Sequence, residues 1–412
     1  MSEAVSTRLS RRSFMRTLGA ASVAATSFPA LASVSGSPVP RRENFSSSES
    51  DPVIISSNEN PLGPASSALA AIAATAPLGN RYHYDVTQKT VAAFNDVFGL
   101  KFGYVALFPG SGGALDLALI SNIGPDRPLV YADLSYEQGP RAADIMKAPK
   151  VPVKLTAGYA HDVKAMLAAH PSPGAYYIVN PNNPTGTMTP KADIVWLLKN
   201  KPAGSVVIVD EAYHHFSNDD SCIDLVATDQ DIIVTRTFSK IYGMAGLRAG
   251  VAIAKPELLA KFRAAAPIGR SLASISITSA AAARASLLDK DLVPLRRKIN
   301  ADNRSETLEF LQKHGFTTIA GSQANFFMVD TKRPGADFQN LMMGQSVAIG
   351  RTWAALPTYV RVTVGTRDEM ARFQSAFVKC MDEAPSSANG AASLHMPAMQ
   401  IPSELYRGEM FA

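Results

Sequence analysis

One lysine near the middle of the chain has neighbours that could support covalent chemistry. Lys240 follows Thr237 and Ser239, an apolar run at 232–234 precedes this group, and Arg248 stands eight residues after the lysine. A lysine just after a strand can hold an aldehyde cofactor as a Schiff base, while hydroxyl groups and an arginine bind the phosphate of that cofactor. The alternative is that Lys240 is an ordinary solvated lysine, and motifs elsewhere in the chain are needed to choose between the two interpretations.

Short apolar segments alternate with helical segments through the first two thirds of the sequence. This alternation predicts an α/β fold, in which a mostly parallel seven-stranded sheet is covered by helices on both faces. The predicted strands lie at 104–108, 129–131, 151–155, 176–179, 206–209, 232–234 and 249–253. A glycine-rich turn at 109–113 opens a helix predicted at 114–123. Its backbone amides suit a phosphate, although the glycine spacing is not that of a dinucleotide site.

Polar clusters follow the carboxyl ends of three predicted strands, at 180–186, 210–213 and 237–240. Because the carboxyl ends of parallel strands meet at one edge of a sheet, we expect these clusters to form a single site. A separate cluster at 80–85 combines three aromatic side chains with an arginine and an aspartate. We interpret it as a binding loop.

The chain divides into a large domain, a small α+β domain and two terminal segments. From N- to C-terminus we predict a signal peptide at 1–32, a linker at 33–52, an N-terminal segment of the small domain at 53–78, a large cofactor-binding domain at 79–285, the rest of the small domain at 286–383 and a disordered tail at 384–412. A helical stretch at 276–313 is predicted to break near Pro294, and Thr189 is predicted to cap a helix that has Pro190 in its first turn.

The N-terminus has the pattern of an export signal. Arg11 and Arg12 lie within a twin-arginine motif at 10–16, and an Ala-rich apolar run at 18–28 and a small-x-small site at 30–32 follow it. The apolar run is too short to span a membrane stably. We predict export to the periplasm by the twin-arginine machinery, which carries folded proteins. A disordered arm or an amphipathic helix is the alternative.

Charge and cysteine content argue against several kinds of partner. The formal net charge is +5, and residues 1–32 contribute +3 of it. The remaining charge is too small to indicate a nucleic acid or an anionic membrane surface as a partner. Cys222 and Cys380 form neither a metal-binding spacing nor a disulfide framework, so no metal is predicted.

Together these clusters resemble the fold-type I pyridoxal-phosphate enzymes, in particular the histidinol-phosphate aminotransferase branch of the class I/II aminotransferases. The resemblance runs from about Asn58 to about Arg367. The motifs that carry it are Asn58-Glu59-Asn60-Pro61-Leu62-Gly63-Pro64, Asn182-Asn183-Pro184-Thr185-Gly186, Val209-Asp210-Glu211-Ala212-Tyr213, Thr237-Phe238-Ser239-Lys240 with Gly246-Leu247-Arg248, and Arg361-Val362-Thr363-Val364-Gly365-Thr366-Arg367.

The resemblance implies catalytic roles around pyridoxal 5'-phosphate. Lys240 is implied to form the Schiff base and then to carry a proton between the substrate α-carbon and the cofactor. Asp210 is implied to pair with the pyridine nitrogen, which keeps the ring protonated and able to accept electrons. A helix cap is the alternative role for this aspartate. Tyr213 and Asn183 are implied to donate hydrogen bonds to the phenolic oxygen, although Asn183 could instead brace its own turn.

The resemblance also implies a phosphate site and a substrate site. The phosphate is implied to be bound by Ser111, Gly112, Gly113, Thr237, Ser239 and Arg248. Tyr136 is implied to stack on the pyridine ring, with a core tyrosine as the alternative. Arg361 is implied to bind the substrate α-carboxylate, while Arg351 and Asn58 are implied to contact other parts of the substrate. Tyr82 is implied to reach the phosphate of the neighbouring subunit, so the active unit is expected to be a homodimer.

Some departures from the family pattern concern the substrate pocket. Ala114 and Leu115 stand where the family often has acidic residues, the segment at 82–85 is one residue longer, and Thr352-Trp353 replaces an apolar-proline piece. Histidinol phosphate is moreover a cytoplasmic intermediate. We therefore predict an exported aminotransferase that acts on another amino acid and a 2-oxo acid.

Two other kinds of function are compatible with the same residues. A lysine, an aspartate and an arginine around this cofactor also support oxidation, decarboxylation and other carbanion chemistry, although a retained Arg361 favours transamination. A non-catalytic protein that binds the cofactor is a second alternative, and the intact Lys240, Asp210 and Arg248 argue against it. A cofactor-dependent transcription factor is not expected, because no DNA-binding module precedes Asn58.

Overall fold

The computed structural model describes residues 51–265 and 275–382. The predicted signal peptide, nearly all of the predicted linker and the predicted C-terminal tail lie outside these residues. Within the described ranges, no helix is both long enough and apolar enough to cross a membrane.

The strands form one large sheet and two small ones. The strands are β1 (Val53–Ile55), β2 (Val105–Phe108), β3 (Leu129–Ala132), β4 (Lys150–Val153), β5 (Ala175–Val179), β6 (Val206–Asp210), β7 (Ile232–Thr237), β8 (Gly250–Ala254), β9 (Phe326–Asp330), β10 (Val347–Ile349) and β11 (Tyr359–Thr363). The large sheet has seven strands in the order β2-β8-β7-β6-β5-β3-β4. Only β8 runs antiparallel to its neighbours in this sheet. The predicted α/β fold with a mostly parallel seven-stranded sheet is confirmed.

Helices cover the large sheet and complete the C-terminal third. The α-helices of the described residues are α1 (Ser66–Thr75), α2 (Tyr84–Phe98), α3 (Ser111–Ile120), α4 (Gln138–Ile145), α5 (Val163–Ala168), α6 (Lys191–Asn200), α7 (Ile223–Val226), α8 (Pro256–Ala265), α9 (Ile277–Leu288), α10 (Leu292–Lys313), α11 (Gly335–Gly344) and α12 (Arg367–Asp382).

The central strands are buried on both faces, which explains their continuous apolar sequences. Every residue of β5, β6 and β8 is buried. Tyr176 and Tyr177 belong to different apolar clusters, because successive side chains of a strand point to opposite faces of the sheet. Two layers of helices therefore have a core to pack against, as in other parallel sheets.

The C-terminal third has a core of its own. β1 pairs in parallel with β10, and β9 pairs in antiparallel fashion with β11. Apolar side chains from these strands, from α11 and from α12 form one buried cluster. The predicted boundary between residues 285 and 286 falls inside α9, which packs against α1 and α2. The division into domains stays a prediction.

The predicted break near Pro294 is present, whereas two other predicted helix boundaries were wrong. The stretch at 276–313 breaks at 289–291, and Pro294 lies in the first turn of α10, where a backbone N–H has no partner within the helix. Pro190 is the residue before α6 rather than part of its first turn, and the Thr189 hydroxyl accepts a bond from the His161 amide. The helix predicted at 114–123 is α3, which begins three residues earlier.

Candidate active site

The predicted polar clusters meet in one cleft at the carboxyl edge of the large sheet. The cleft has a volume of about 350 Å³, and segments that follow β2, β5, β6 and β7 line it. The predicted site residues that line it are Asn58, Ser111, Gly112, Tyr136, Asn183, Asp210, Tyr213, Thr237, Ser239, Lys240, Arg248, Arg351 and Arg361. The cleft is therefore the candidate active site.

Lys240 supplies an amine with a reduced proton affinity. Its Nζ donates a hydrogen bond of 3.2 Å to the Ser57 carbonyl and lies 5.6 Å from the centre of the Tyr213 ring. Burial, and after it the positive charge of Arg361, lower the pKa of Lys240 from 10.5 to about 8. More of this amine is therefore neutral and nucleophilic at neutral pH than of an exposed lysine.

Asp210 places a buried carboxylate at the end of β6. Its Oδ1 accepts hydrogen bonds from the Thr235 hydroxyl at 2.9 Å and from the Ala212 amide at 3.2 Å. Burial raises the pKa of Asp210 to about 6, against the opposing effect of these two bonds. No helix begins at this aspartate, so the alternative role of a helix cap is wrong. Such a carboxylate is stabilised by a cationic or proton-sharing partner.

The groups predicted to bind phosphate surround one end of the cleft. α3 begins at Ser111, so its unpaired amides and the positive end of its dipole face the cleft. Gly110 has a φ of 88°, and a Cβ at this position would overlap the Arg248 guanidinium. Only glycine lets the arginine approach the backbone this closely. Thr237 Oγ1 donates to Ser239 Oγ at 3.0 Å, and both residues line the same cleft as Ser111 and Gly112 at the start of α3.

Buried hydrogen bonds connect the predicted substrate arginine to the predicted phenol donors. Arg361 donates to Asn183 Oδ1 and to the Ser56 carbonyl, each at 2.8 Å. The Tyr213 hydroxyl accepts from Asn58 Nδ2 at 3.0 Å and from Asn183 Nδ2 at 3.5 Å. Asn58 thus holds Tyr213 in place, besides lining the cleft. Asn183 contacts both Arg361 and Tyr213, which is more than bracing its own turn.

Arg361 retains capacity for a further acceptor. Among the described residues, its buried Nε has no hydrogen-bond partner. The guanidinium lies over two aromatic rings, at 5.6 Å from the centre of Phe326 and 5.3 Å from the centre of Trp353. These rings fix its plane by cation–π attraction. A fixed guanidinium with an unsatisfied donor suits a carboxylate ligand.

Two predicted site residues do not line this cleft. Gly113 lies in the first turn of α3 and is exposed, but it does not line the cleft. Tyr82 is 81% exposed and stacks on Tyr84 at a ring distance of 5.6 Å, away from the site of its own chain. Tyr136 is 38% exposed and lines the cleft, so the alternative of a core tyrosine is wrong.

Sequence reasoning missed several residues that line the cleft, and their motifs carried little signal. They are Ser57, Glu59, Leu115, Gln138, Val179, Ala212 and Ala245. Ser57 acts through its backbone carbonyl, which no side-chain pattern reveals. Gln138 donates from Nε2 to the Gly112 carbonyl at 2.7 Å, and its position two residues after Tyr136 was the only available clue.

No metal site is found in the residues that the structure describes. No group of three or more histidine, cysteine, aspartate or glutamate residues within 51–265 and 275–382 could hold an ion. Cys222 and Cys380 are both buried.

We predict that the amine of Lys240 titrates near pH 8 and that Arg361→Met moves this titration upward. Below its pKa the lysine is an unreactive ammonium ion, and above it a neutral amine. Removing the Arg361 charge removes a cause of the low pKa, so the midpoint should rise. The measurement is the pH dependence of reductive alkylation of the apo-protein, followed by mass spectrometry of the Lys240 peptide.

Arg367→Met is the control for this titration, because Arg367 is largely exposed and pairs with Glu306 at the surface. We expect the Arg367→Met variant to have the same titration midpoint as the wild-type protein. A wild-type midpoint near 10.5 would contradict the prediction.

The chain matches known aminotransferases over most of its length. The family described as aminotransferase class I and II matches residues 50–377. A histidinol-phosphate aminotransferase of Cupriavidus pinatubonensis is 34% identical over 84% of this chain and 93% of its own. An aromatic amino acid aminotransferase of Streptomyces coelicolor is 34% identical over 76% of this chain and 86% of its own.

Solved structures agree with the fold. The histidinol-phosphate aminotransferase of Sinorhizobium meliloti, in complex with pyridoxal 5'-phosphate, has a TM-score of 0.71 and is 23% identical to this chain. The similarity covers 80% of this chain and 91% of that one. With a family match and relatives over most of the sequence, the chain belongs to the class I and II aminotransferases, which use pyridoxal 5'-phosphate.

Proposed function

We propose that this aminotransferase moves an amino group between an amino acid and a 2-oxo acid with Lys240, Asp210 and Arg361 as its principal groups. The observation that carries the proposal is that one cleft at the carboxyl edge of the sheet holds all three side chains. Each has the protonation or hydrogen-bonding property that its role requires.

The residues of the cleft fit pyridoxal 5'-phosphate. The start of α3, two hydroxyls and Arg248 form a site for a dianion. Among the described residues, the hydrogen bonds that Asp210 accepts come from two neutral groups, and a protonated pyridine nitrogen would add a cationic partner. When bound, the cofactor supplies an aldehyde for amines and a ring that accepts electrons from the substrate α-carbon.

The chain's own residues then divide the remaining work. Lys240 Nζ is the base that takes the proton from the substrate α-carbon, because its low pKa keeps it available near neutral pH. Arg361 holds the substrate α-carboxylate through its fixed guanidinium. Tyr213 and Asn183 would donate to the phenolic oxygen, and the Tyr213 hydroxyl is oriented by the bonds that it accepts from Asn58 and Asn183.

We predict that Lys240→Ala lowers amino transfer by about a thousandfold or more, because it removes both the nucleophile and the base. The measurement is formation of the 2-oxo acid from a panel of amino acids with oxygen excluded, which separates transfer from oxidation. The matched control is Lys199→Ala in α6, an exposed lysine that does not line the cleft. Undiminished turnover in the Lys240→Ala variant would show that the assignment is wrong.

We also propose that the active unit is a homodimer in which Tyr82 reaches the site of the other subunit. The support is that a tyrosine from a family motif is 81% exposed and lines no part of its own cleft. Its ring is held in a stack with Tyr84, so it is presented outward rather than folded back.

This arrangement predicts that two impaired variants restore each other. Tyr82→Ala and Lys240→Ala dimers each lack a group at both sites, but a mixed dimer contains one site with both groups. After subunit exchange, the mixture should be more active than the sum of the separate variants. Activity equal to that sum, in a mixture shown to contain mixed dimers, would contradict a role for Tyr82 in trans.

We propose that the protein is exported through the twin-arginine route. The support is the motif with Arg11 and Arg12, followed by the apolar run and the small-residue site. We predict that replacing both arginines with lysine keeps the full chain in the cytoplasm, whereas lysine at Arg8 and Arg16 does not. Cell fractionation measures both, and export of the first variant at the wild-type level would disprove the route.

A further inference from the structure

An ion pair lies at the distal side of the cleft, beyond the predicted carboxylate arginine. Arg351, just after β10, donates from Nη2 to both carboxylate oxygens of Glu137, the residue before α4. The indole of Trp353 donates to Glu137 Oε1 at 3.1 Å and lies 4.6 Å from the Arg351 guanidinium carbon. Glu137 is therefore held by two donors, and Arg351 by a carboxylate and an aromatic ring.

The partners of this ion pair differ in exposure. The Glu137 side chain is 28% exposed and Arg351 is 50% exposed, whereas Trp353 is 9% exposed. The buried Trp353 indole donates to the Glu137 carboxylate, and the half-exposed Arg351 lines the cleft. A substrate in the cleft thus meets a cation whose charge is already neutralised.

We propose that Glu137 determines specificity by neutralising Arg351, so that the site selects amino acids with uncharged side chains. An anionic side chain could bind Arg351 only beside the Glu137 carboxylate, and two carboxylates at one guanidinium repel each other. A cationic side chain gains little from Glu137, because both oxygens already accept hydrogen bonds. An uncharged side chain leaves the ion pair intact.

This inference rests on the proposed aminotransferase function. The selection for uncharged side chains applies to both half-reactions. The amino acid that gives the amino group and the 2-oxo acid that receives it occupy the same cleft in turn. Both should therefore carry uncharged side chains. Because Arg351 is half exposed, solvent screens the repulsion, and the selectivity should be moderate rather than absolute.

The test compares two unreactive carboxylates that differ at the distal end. Glutarate carries a second carboxylate, and 3-phenylpropanoate carries an uncharged ring. Calorimetry on the cofactor-loaded enzyme gives a dissociation constant for each. Wild-type enzyme should bind 3-phenylpropanoate more tightly, and Glu137→Gln should shift the ratio of the two constants toward glutarate by about fivefold.

Arg351→Gln should change the ratio in the opposite direction, because it leaves Glu137 as an unneutralised anion. This second variant keeps the test decisive if Glu137→Gln does not fold. The matched control is Glu306→Gln, since Glu306 pairs with Arg367 at 3.0 Å on the surface and outside the cleft. The same loss of a glutamate charge there should leave the ratio unchanged.

Three results would overturn the inference: tighter binding of glutarate than of 3-phenylpropanoate by wild-type enzyme, a Glu137→Gln ratio equal to that of the control, or no change in Arg351→Gln. Rates of amino transfer, measured separately, distinguish this from failure of the proposed function. If no amino acid supports transfer, the proposed function is wrong. If transfer occurs and the binding ratio does not respond, only the role of Glu137 is wrong.

Discussion

The arrangement of the site depends on a buried hydrogen-bond network that involves four distant segments of the chain. Arg361 in β11 bonds Asn183 after β5 and the Ser56 carbonyl near β1, while Asn58 bonds the Tyr213 hydroxyl after β6. Because an unpaired polar group is costly in a buried position, each of these bonds fixes the distance between its segments. The network thus sets the spacing between the C-terminal strands and the edge of the large sheet.

The same physical cause prepares two groups of the cleft for opposite tasks. Burial disfavours charge, so it lowers the pKa of the Lys240 amine to about 8 and raises the pKa of the Asp210 carboxyl to about 6. The lysine becomes a better nucleophile and base. The carboxylate becomes a group whose charged form is stabilised by a protonated ring nitrogen. Pyridoxal 5'-phosphate would bring a protonated nitrogen to Asp210 and an aldehyde to the Lys240 amine. It would therefore stabilise the Asp210 carboxylate and react with the neutral form of Lys240.

Charge is balanced differently at the two arginines Arg351 and Arg361 that line the cleft. Arg361 has a buried Nε without a hydrogen-bond partner among the described residues, so it keeps capacity for a ligand carboxylate. Arg351 is engaged by Glu137, and Trp353 supports both of them. The cleft therefore has one available cation and one neutralised cation. This asymmetry is the basis of the proposed preference for uncharged side chains.

The sequence alone determined the fold class, the seven strands of the large sheet and most of the residues that line the cleft at its carboxyl edge. Apolar runs and strand-end motifs are local signals, and parallel strands bring their ends together whatever the details of packing. Only the tertiary structure decided which partners each site residue has. Glu137 and Arg351 pair although they are far apart along the chain. Ser57 contacts Lys240 through its backbone carbonyl, and the type of residue does not predict such a contact. Likewise, Pro294 predicted the existence of a helix break but not its position. The break lies at 289–291, and Pro294 itself lies in the first turn of the next helix, where proline is tolerated. Contacts between distant segments depend on how the helices and strands pack, and local sequence patterns do not predict this packing.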